Sequence, residues 1–279
     1  LSAELSSGTS SIKAAIRKRC YERSATTHEL NKDIDELEKI DKSAEKKIRS
    51  AMFLTFAPVI GCIVAGLSAG AMAPFIWTVC GLLIVVGIVL WTTWAKYEFS
   101  DLRYMLAREL LLLCSRDIVE AQPVRLKINF NSVNRKDTQV RKASDRTIYK
   151  DTWLLLNGAF ADGSKFNLQV EETVHVKFRK GKLKAKGYVM SLTIAFSKKS
   201  YGVLQLEQVA SNKLVRIEEN TQLKTCRGKG NALYLSAKVP PIYDFKDNKG
   251  VNQFLQLAKY LLLSAYGTLN ATKKPGASA

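Results

Sequence analysis

Residues 51–95 read AMFLTFAPVIGCIVAGLSAGAMAPFIWTVCGLLIVVGIVLWTTWA, 45 positions without one Asp, Glu, Lys, Arg or His. The remainder of the 279-residue chain carries all 43 Lys and Arg and all 25 Asp and Glu. A bilayer imposes segregation of this kind, because a helix needs about 20 apolar residues to cross about 30 Å of hydrocarbon. The block therefore predicts a two-helix transmembrane hairpin, Ala51 to Met72 and Phe75 to Ala95, with a tight connection between. Two helices buried in a water-soluble core are the competing reading, disfavoured by the missing charges and the membrane-length fit.

Orientation follows from the loops beside the spans, since Lys and Arg accumulate on the cytoplasmic side. Lys39, Lys42, Lys46, Lys47 and Arg49 precede the first span, Lys96, Arg103 and Arg108 follow the second, and the connection has no charge. An integral membrane protein with both termini on the cytoplasmic side is expected. Trp91, Trp94 and Tyr97 fall at the depth of an inner interfacial belt, and Trp77 lies near the outer one. The apolar block starts about fifty residues into the chain, too late and too long for a cleaved signal peptide.

Inside the first span Ala57, Gly61, Ala65, Ala69 and Ala73 recur every fourth residue. Helices in lipid associate by close packing, so a stripe of small side chains reads as a packing face. Its partner is either the second span, where Gly81 and Gly87 offer openings, or a second copy of the chain. Five positions exceed what a hairpin needs, which favours a homo-oligomer. Absence of intramembrane charge disfavours a proton relay, while a pore gated by apolar side chains stays open.

Outward from the hairpin, no Gly or Pro interrupts the chain between Gly8 and Pro58 or between Gly87 and Pro123. Residues 1–26 are expected to be flexible or partly helical, 27–50 a stem helix, and 96–122 a stalk continuing the second span. Leu30, Ile34, Leu37, Ala44 and Ile48 keep four-and-three spacing with Asp41 at the one defective position. That pattern fits a coiled-coil-like seam or an amphipathic helix on the protein's own core. Leu102, Met105, Leu106, Leu110, Leu113 and Cys114 carry a helical face along the stalk.

After Pro123 the period changes to alternation, in runs such as VRLKINFN, KFNLQVEETVHVKFR and NALYLSAKV. Turn signals stand at Asn157-Gly158, Asp162-Gly163, Arg179-Lys180-Gly181 and Tyr201-Gly202. Residues 123–239 thus predict a cytoplasmic antiparallel β-sandwich or barrel-like domain. A linker and helix follow at 240–270, with Phe254, Leu257, Ala258, Leu261, Leu262 and Ala265 on one face to cap the β-domain or pack on the stalk, and 271–279 form a disordered tail. The whole reads as an α+β membrane protein.

Within the β-domain VHVKFRKGKLKAKGYV places His175, Lys177 and Arg179 on one strand face and Lys182, Lys184 and Lys186 on one face of the return. Like charges across paired strands are unfavourable without an anionic neighbour. Anionic lipid, a phosphate-bearing ligand or an acidic protein partner would serve; a solvated edge that resists aggregation is the simpler reading. Nucleic acid ranks last because stacking aromatics are not interleaved. His28 and His175 have no neighbouring motif for nucleophile or metal, the five cysteines are dispersed, and Arg227-Gly228-Lys229-Gly230-Asn231 matches no phosphate-binding fingerprint and reads as a β-turn. No catalytic residue, cofactor or metal is expected. The residues point to a non-enzymatic membrane-anchored structural subunit presenting a basic β-domain to partners or lipid. The alternative is a ligand-sensing effector or channel whose β-domain binds an anionic small ligand and signals through the stalk.

Overall fold

A computed structural model of the chain describes residues 12–67, 73–99, 101–133, 135–142, 146–177, 183–196, 222–229, 231–239 and 248–271. The fold is mixed α and β with an antiparallel sheet. It divides into two compact units, Leu1–Ile34 with Asp101–Ala279, and Asp35–Ser100.

In the first unit a short helix α1 over 12–18 is followed by β1, Cys20–Ala25. The reversal between them is made by Arg19 at φ 51°, a left-handed conformation that costs a non-glycine residue energy. Its carbonyl accepts the Phe130 N–H at 2.8 Å. Residues 20–25 are thus a strand inside the stretch expected to be flexible or helical. Nothing local marks it, because its partner is remote: Cys20 pairs with Asn129 and Ala25 with Val124.

The remaining strands are β2 (Val124–Asn129), β3 (Gln139–Lys142), β4 (Arg146–Ala159), β5 (Lys165–Lys177), β6 (Leu183–Ala195), β7 (Gln222–Lys229) and β8 (Ala232–Val239). They form one sheet in the order β1-β2-β4-β5-β6-β8-β7, with β3 on β4. One sheet replaces the expected sandwich or barrel among the described residues. Its second layer is helical: α4 (Asp101–Ser115) packs on β2 and β4, and α5 (Asn248–Ala271) packs on α4, β6 and β8. Alternation alone does not separate these architectures, since an inner sheet face looks the same under helices as under a second sheet.

Burial follows the alternation. Leu126, Ile128, Leu156, Leu192 and Leu233 are fully buried, while Leu155, Gln169, Ser191 and Ser236 form a half-buried row at successive paired positions. All six residues expected on the α5 stripe are buried, with Phe254 edge-on to Tyr188 at 5.3 Å. Gly163 turns the β4–β5 connection at φ 79°, as its Asp-Gly signal predicts. Asn157-Gly158 does not turn; Gly158 lies within β4, where a Cβ would come 2.8 Å from the Phe166 ring. Of Arg227-Gly228-Lys229-Gly230-Asn231, expected to be a β-turn, the first three residues belong to β7 and pair with Tyr234, Leu233 and Ala232, and Gly230 lies outside the described residues. Residues 197–221 of the expected β-domain, with its Tyr201-Gly202 turn signal, lie outside the described residues.

Helix α2, Thr27–Leu67, begins in the first unit and supplies 35–67 to the second. Its expected seam, Leu30, Ile34, Leu37, Ala44 and Ile48, is buried, and so is Asp41. The second unit pairs α2 with α3, Ala73–Trp94. Their contacts run antiparallel: Asp41 meets Phe99, Lys47 meets Trp94, Ala51 and Thr55 meet Gly87, and Gly61 meets Cys80. The expected uninterrupted helix from Phe75 to about Gln122 is broken. A 3-10 turn occupies Ala95–Tyr97 and Glu98 is extended (φ −79°, ψ 118°) before α4 starts. The Asp41 carboxylate accepts the Phe99 N–H at 2.6 Å, satisfying a backbone donor freed by the break. The heptad's defective position thereby has a specific partner.

Candidate functional site

The uncharged part of the α2–α3 pair presents large apolar side chains to its surroundings. Phe53 is 74% exposed, Leu82 65% and Trp77 54%, and Phe56, Ile60, Ile63, Phe75, Val85 and Val89 are exposed as well. Among the described residues one helical stretch, starting at Pro74, is long and apolar enough to cross a membrane by length and composition, and 11% of its most apolar window is buried. The uncharged half of α2 runs from Ala51 to Leu67 and meets residues 68–72, outside those described.

Glycine sets how closely the helices approach. At Gly87 a Cβ would fall 2.3 Å from the Thr55 hydroxyl oxygen, 3.0 Å from the Thr55 nitrogen and 3.1 Å from the Ala51 carbonyl oxygen. Thr55 turns its hydroxyl back to that same Ala51 carbonyl at 2.9 Å. Gly61, a stripe residue, faces α3 more loosely, its Cβ position 3.7 Å from Cys80 Sγ, and Gly81 has open space. Ala57 is half-buried; the side chains of Ala65 and Ala73 are not described, and Ala69 lies outside the described residues.

The pairing brings two charge boundaries to one level. On α2 the last charge before the apolar stretch is Arg49, and on the other side the first after it is Lys96. The Lys47 ammonium sits 3.7 Å above the Trp94 ring, and Trp94 packs obliquely on Tyr97 with ring centres 5.5 Å apart. A lysine over an indole keeps its charge and donors while its stem covers apolar surface. Trp91 is 41% exposed on the same turn of chain. Lys42 pairs with Glu38, and Arg49 with Glu45, each one helical turn away.

In the sheet unit a buried polar cluster locks α4 in place. Arg103 donates to Glu172 Oε2 at 2.9 Å, to the Asn131 carbonyl at 2.8 Å and to the Asn129 carbonyl, and lies over the Trp153 ring at 5.4 Å. Tyr188 reaches the other Glu172 oxygen at 3.5 Å, and Asn129 donates to both Asp151 oxygens at 3.2 and 2.9 Å. Burial raises the Asp151 carboxyl above the usual range, opposed by Arg103 and the Asn129 bond. Arg103, counted in the sequence as a topology-setting charge, is thus neutralised inside the unit. No local motif announces such a pair, because its partner is on a strand dozens of residues away.

A second cluster anchors the start of α2. Tyr21 donates to Asp33 Oδ2 at 2.7 Å, and Arg23 grips both Asp33 oxygens at 3.1 and 2.9 Å. Burial, reinforced by Asp33, pushes the Tyr21 phenol well above its ordinary value. Thr26 and Glu29 form a reciprocal capping box: Thr26 N donates to Glu29 Oε2 at 3.0 Å and Glu29 N to Thr26 Oγ1 at 3.3 Å. The backbone bond from Thr26, then its hydroxyl, hold Glu29 below the usual carboxylate range. The signal was present as Thr-x-x-Glu ahead of the buried seam, although the uninterrupted breaker-free stretch obscured it.

Of the basic hairpin, Arg179 and Lys182 lie outside the described residues, and the side chains of Lys177, Lys184 and Lys186 are not described. The strand register pairs His175 with Ala185 and Lys186 with Val174, with an irregularity after His175. No lysine of β6 therefore lies directly across from His175. His28 is exposed on the first turn of α2, far along the chain from any such group. No family model, curated protein or solved structure matches the chain.

Proposed function

We propose that this protein is a non-enzymatic, membrane-anchored structural subunit. In this reading the α2–α3 pair crosses the bilayer as a hairpin, with both termini and the sheet unit on the cytoplasmic side. The observation that carries it is the helix pair itself: 45 uncharged residues, outward-facing Phe, Leu and Ile, and two charge boundaries drawn level beside Trp94. At about 1.5 Å per residue the 22 residues of α3 extend about 33 Å, which matches a hydrocarbon core of about 30 Å. An exposed apolar surface of this extent is unfavourable in water.

Self-association is assigned to the small-residue stripe. The tight approach inside the pair uses Gly87 against the backbone at Ala51 and Thr55, none of them stripe residues. Of the stripe, Gly61 lies in loose contact with α3, and the rest is assigned to a second copy, which close packing of small residues in lipid would stabilise. The basic hairpin, His175, Lys177, Arg179, Lys182, Lys184 and Lys186, would then meet acidic partners or anionic lipid.

Two readouts on the reconstituted chain test this. A cysteine placed at Ala71 should react with a membrane-impermeant thiol reagent from the side opposite to one placed at Lys136. Native mass measurement in nanodiscs should give a multiple of the 31.1 kDa chain mass. Labelling of both positions from one side overturns the topology; a particle that stays monomeric at every concentration overturns the subunit assignment.

A further inference from the structure

We infer that the collar formed by Lys47, Trp94 and Lys96 is a binding site for the headgroup of an anionic phospholipid; this rests on the membrane reading above. The motivating geometry is that helix pairing, not sequence proximity, assembles the collar. Lys47 and Trp94 are 47 residues apart in the chain, yet the ammonium stands 3.7 Å over the indole. Lys96 follows two residues later on the 3-10 turn, and its side chain is exposed.

Three features select a phosphate rather than a carboxylate side chain as the occupant. First, two nearby cations each have a carboxylate one helical turn away, Lys42 with Glu38 and Arg49 with Glu45. Among the described residues Lys46 and Lys96 have no such partner, and Lys47 has an aromatic ring instead. Second, the ring attracts the ammonium without cancelling its charge, so the Lys47 donors are held at one height and remain able to bond an anion. Third, Leu90 and Trp91 are exposed one turn from Trp94 on its own side of α3, on the apolar side of the boundary. A ligand with a negative head and a hydrocarbon body fits that sequence of surfaces, whereas a free phosphate or an acidic peptide satisfies only the first part.

The test uses the full chain in nanodiscs of phosphatidylcholine doped with phosphatidylglycerol, with retained lipid counted by native mass spectrometry. Wild type should retain phosphatidylglycerol over phosphatidylcholine. Each lysine near the surface contributes about fivefold in anionic-lipid affinity, so K47Q/K96Q should lower that preference by about 25-fold. W94L, which removes the ring that orients Lys47, should lower it by a smaller factor. K13Q/K136Q, an equal charge change at exposed lysines of the sheet unit, should leave it unaltered. Equal phosphatidylglycerol preference in wild type and K47Q/K96Q, or an equal loss in the K13Q/K136Q control, overturns the site. In either case protein still incorporated in the discs leaves the membrane reading standing; failure of wild type to incorporate at all overturns both.

Discussion

Gly87→Ala adds one methyl group where the two helices touch most closely. The new Cβ would stand 2.3 Å from Thr55 Oγ1, 3.0 Å from Thr55 N and 3.1 Å from Ala51 O. Rotating the hydroxyl relieves the first contact at the cost of its bond to the Ala51 carbonyl, but the two backbone atoms have no rotor. The helices must separate by a few tenths of an ångström, loosening every contact along the pair. Overpacking of this kind costs about 1–3 kcal/mol. Alanine also gains about 1 kcal/mol over glycine in helix propensity, which would mask part of the cost. Gly81→Ala isolates the contact, because it carries the same propensity gain and its Cβ meets nothing within 4 Å. The difference between the two variants should therefore be about 1–3 kcal/mol, with Gly87→Ala the less stable. Thermal or denaturant unfolding of the full chain in mild detergent, followed by tryptophan emission, reads it. Adding Thr55→Ala should recover part of the loss by removing the nearest atom. Equal stability of the two glycine variants would refute the close approach and the pairing register drawn from it.

Arg103→Met leaves Glu172 buried without its cation and should destabilise the sheet unit by about 3–5 kcal/mol, whereas the double replacement Arg103→Met with Glu172→Met should recover most of that in urea unfolding. Tyr21→Phe removes a hydrogen bond to a carboxylate and should cost about 1.5–3 kcal/mol at neutral pH. The raised phenol gives stability that is fully present below its ordinary value of about 10 and is lost as pH rises beyond it, so wild type and variant should converge in alkali. Glu29→Ala breaks the capping box and should cost about 1 kcal/mol. Because Glu29 is held below its ordinary value, that contribution is present above about pH 4 and lost as pH falls through the lowered value, so the two proteins should converge in acid.

The helical faces were legible because a single-face period is written locally. Every residue expected on the α5 stripe is buried, and the α2 seam holds through its polar exception. Asp41 looked like a defect because its partner, the Phe99 N–H, exists only once the chain has left α3 and returned. The same limit hid β1: Tyr21 and Ala25 are buried in alternation, but strand identity comes from β2, about a hundred residues later. Gly158 reads as a turn after Asn157 until the Phe166 ring is placed against it. A break-free stretch from Gly87 to Pro123 permits a helix without requiring one, and the chain uses a 3-10 turn and the extended Glu98 to leave it. For the candidate site, Trp94 and the basic residues were visible singly; which lysine meets which ring depends on the pairing register of two helices.

Membrane insertion through residues 51–95 is tested most directly by alkaline carbonate extraction of membranes from cells that express the full chain. Extraction strips proteins held by surface charge and leaves those whose helices cross the hydrocarbon. The protein is expected to stay in the membrane pellet and to be released by detergent alone. Quantitative recovery of folded protein in the carbonate supernatant would contradict it, and would assign the exposed Phe53, Phe56 and Leu82 surface to a protein partner in place of lipid.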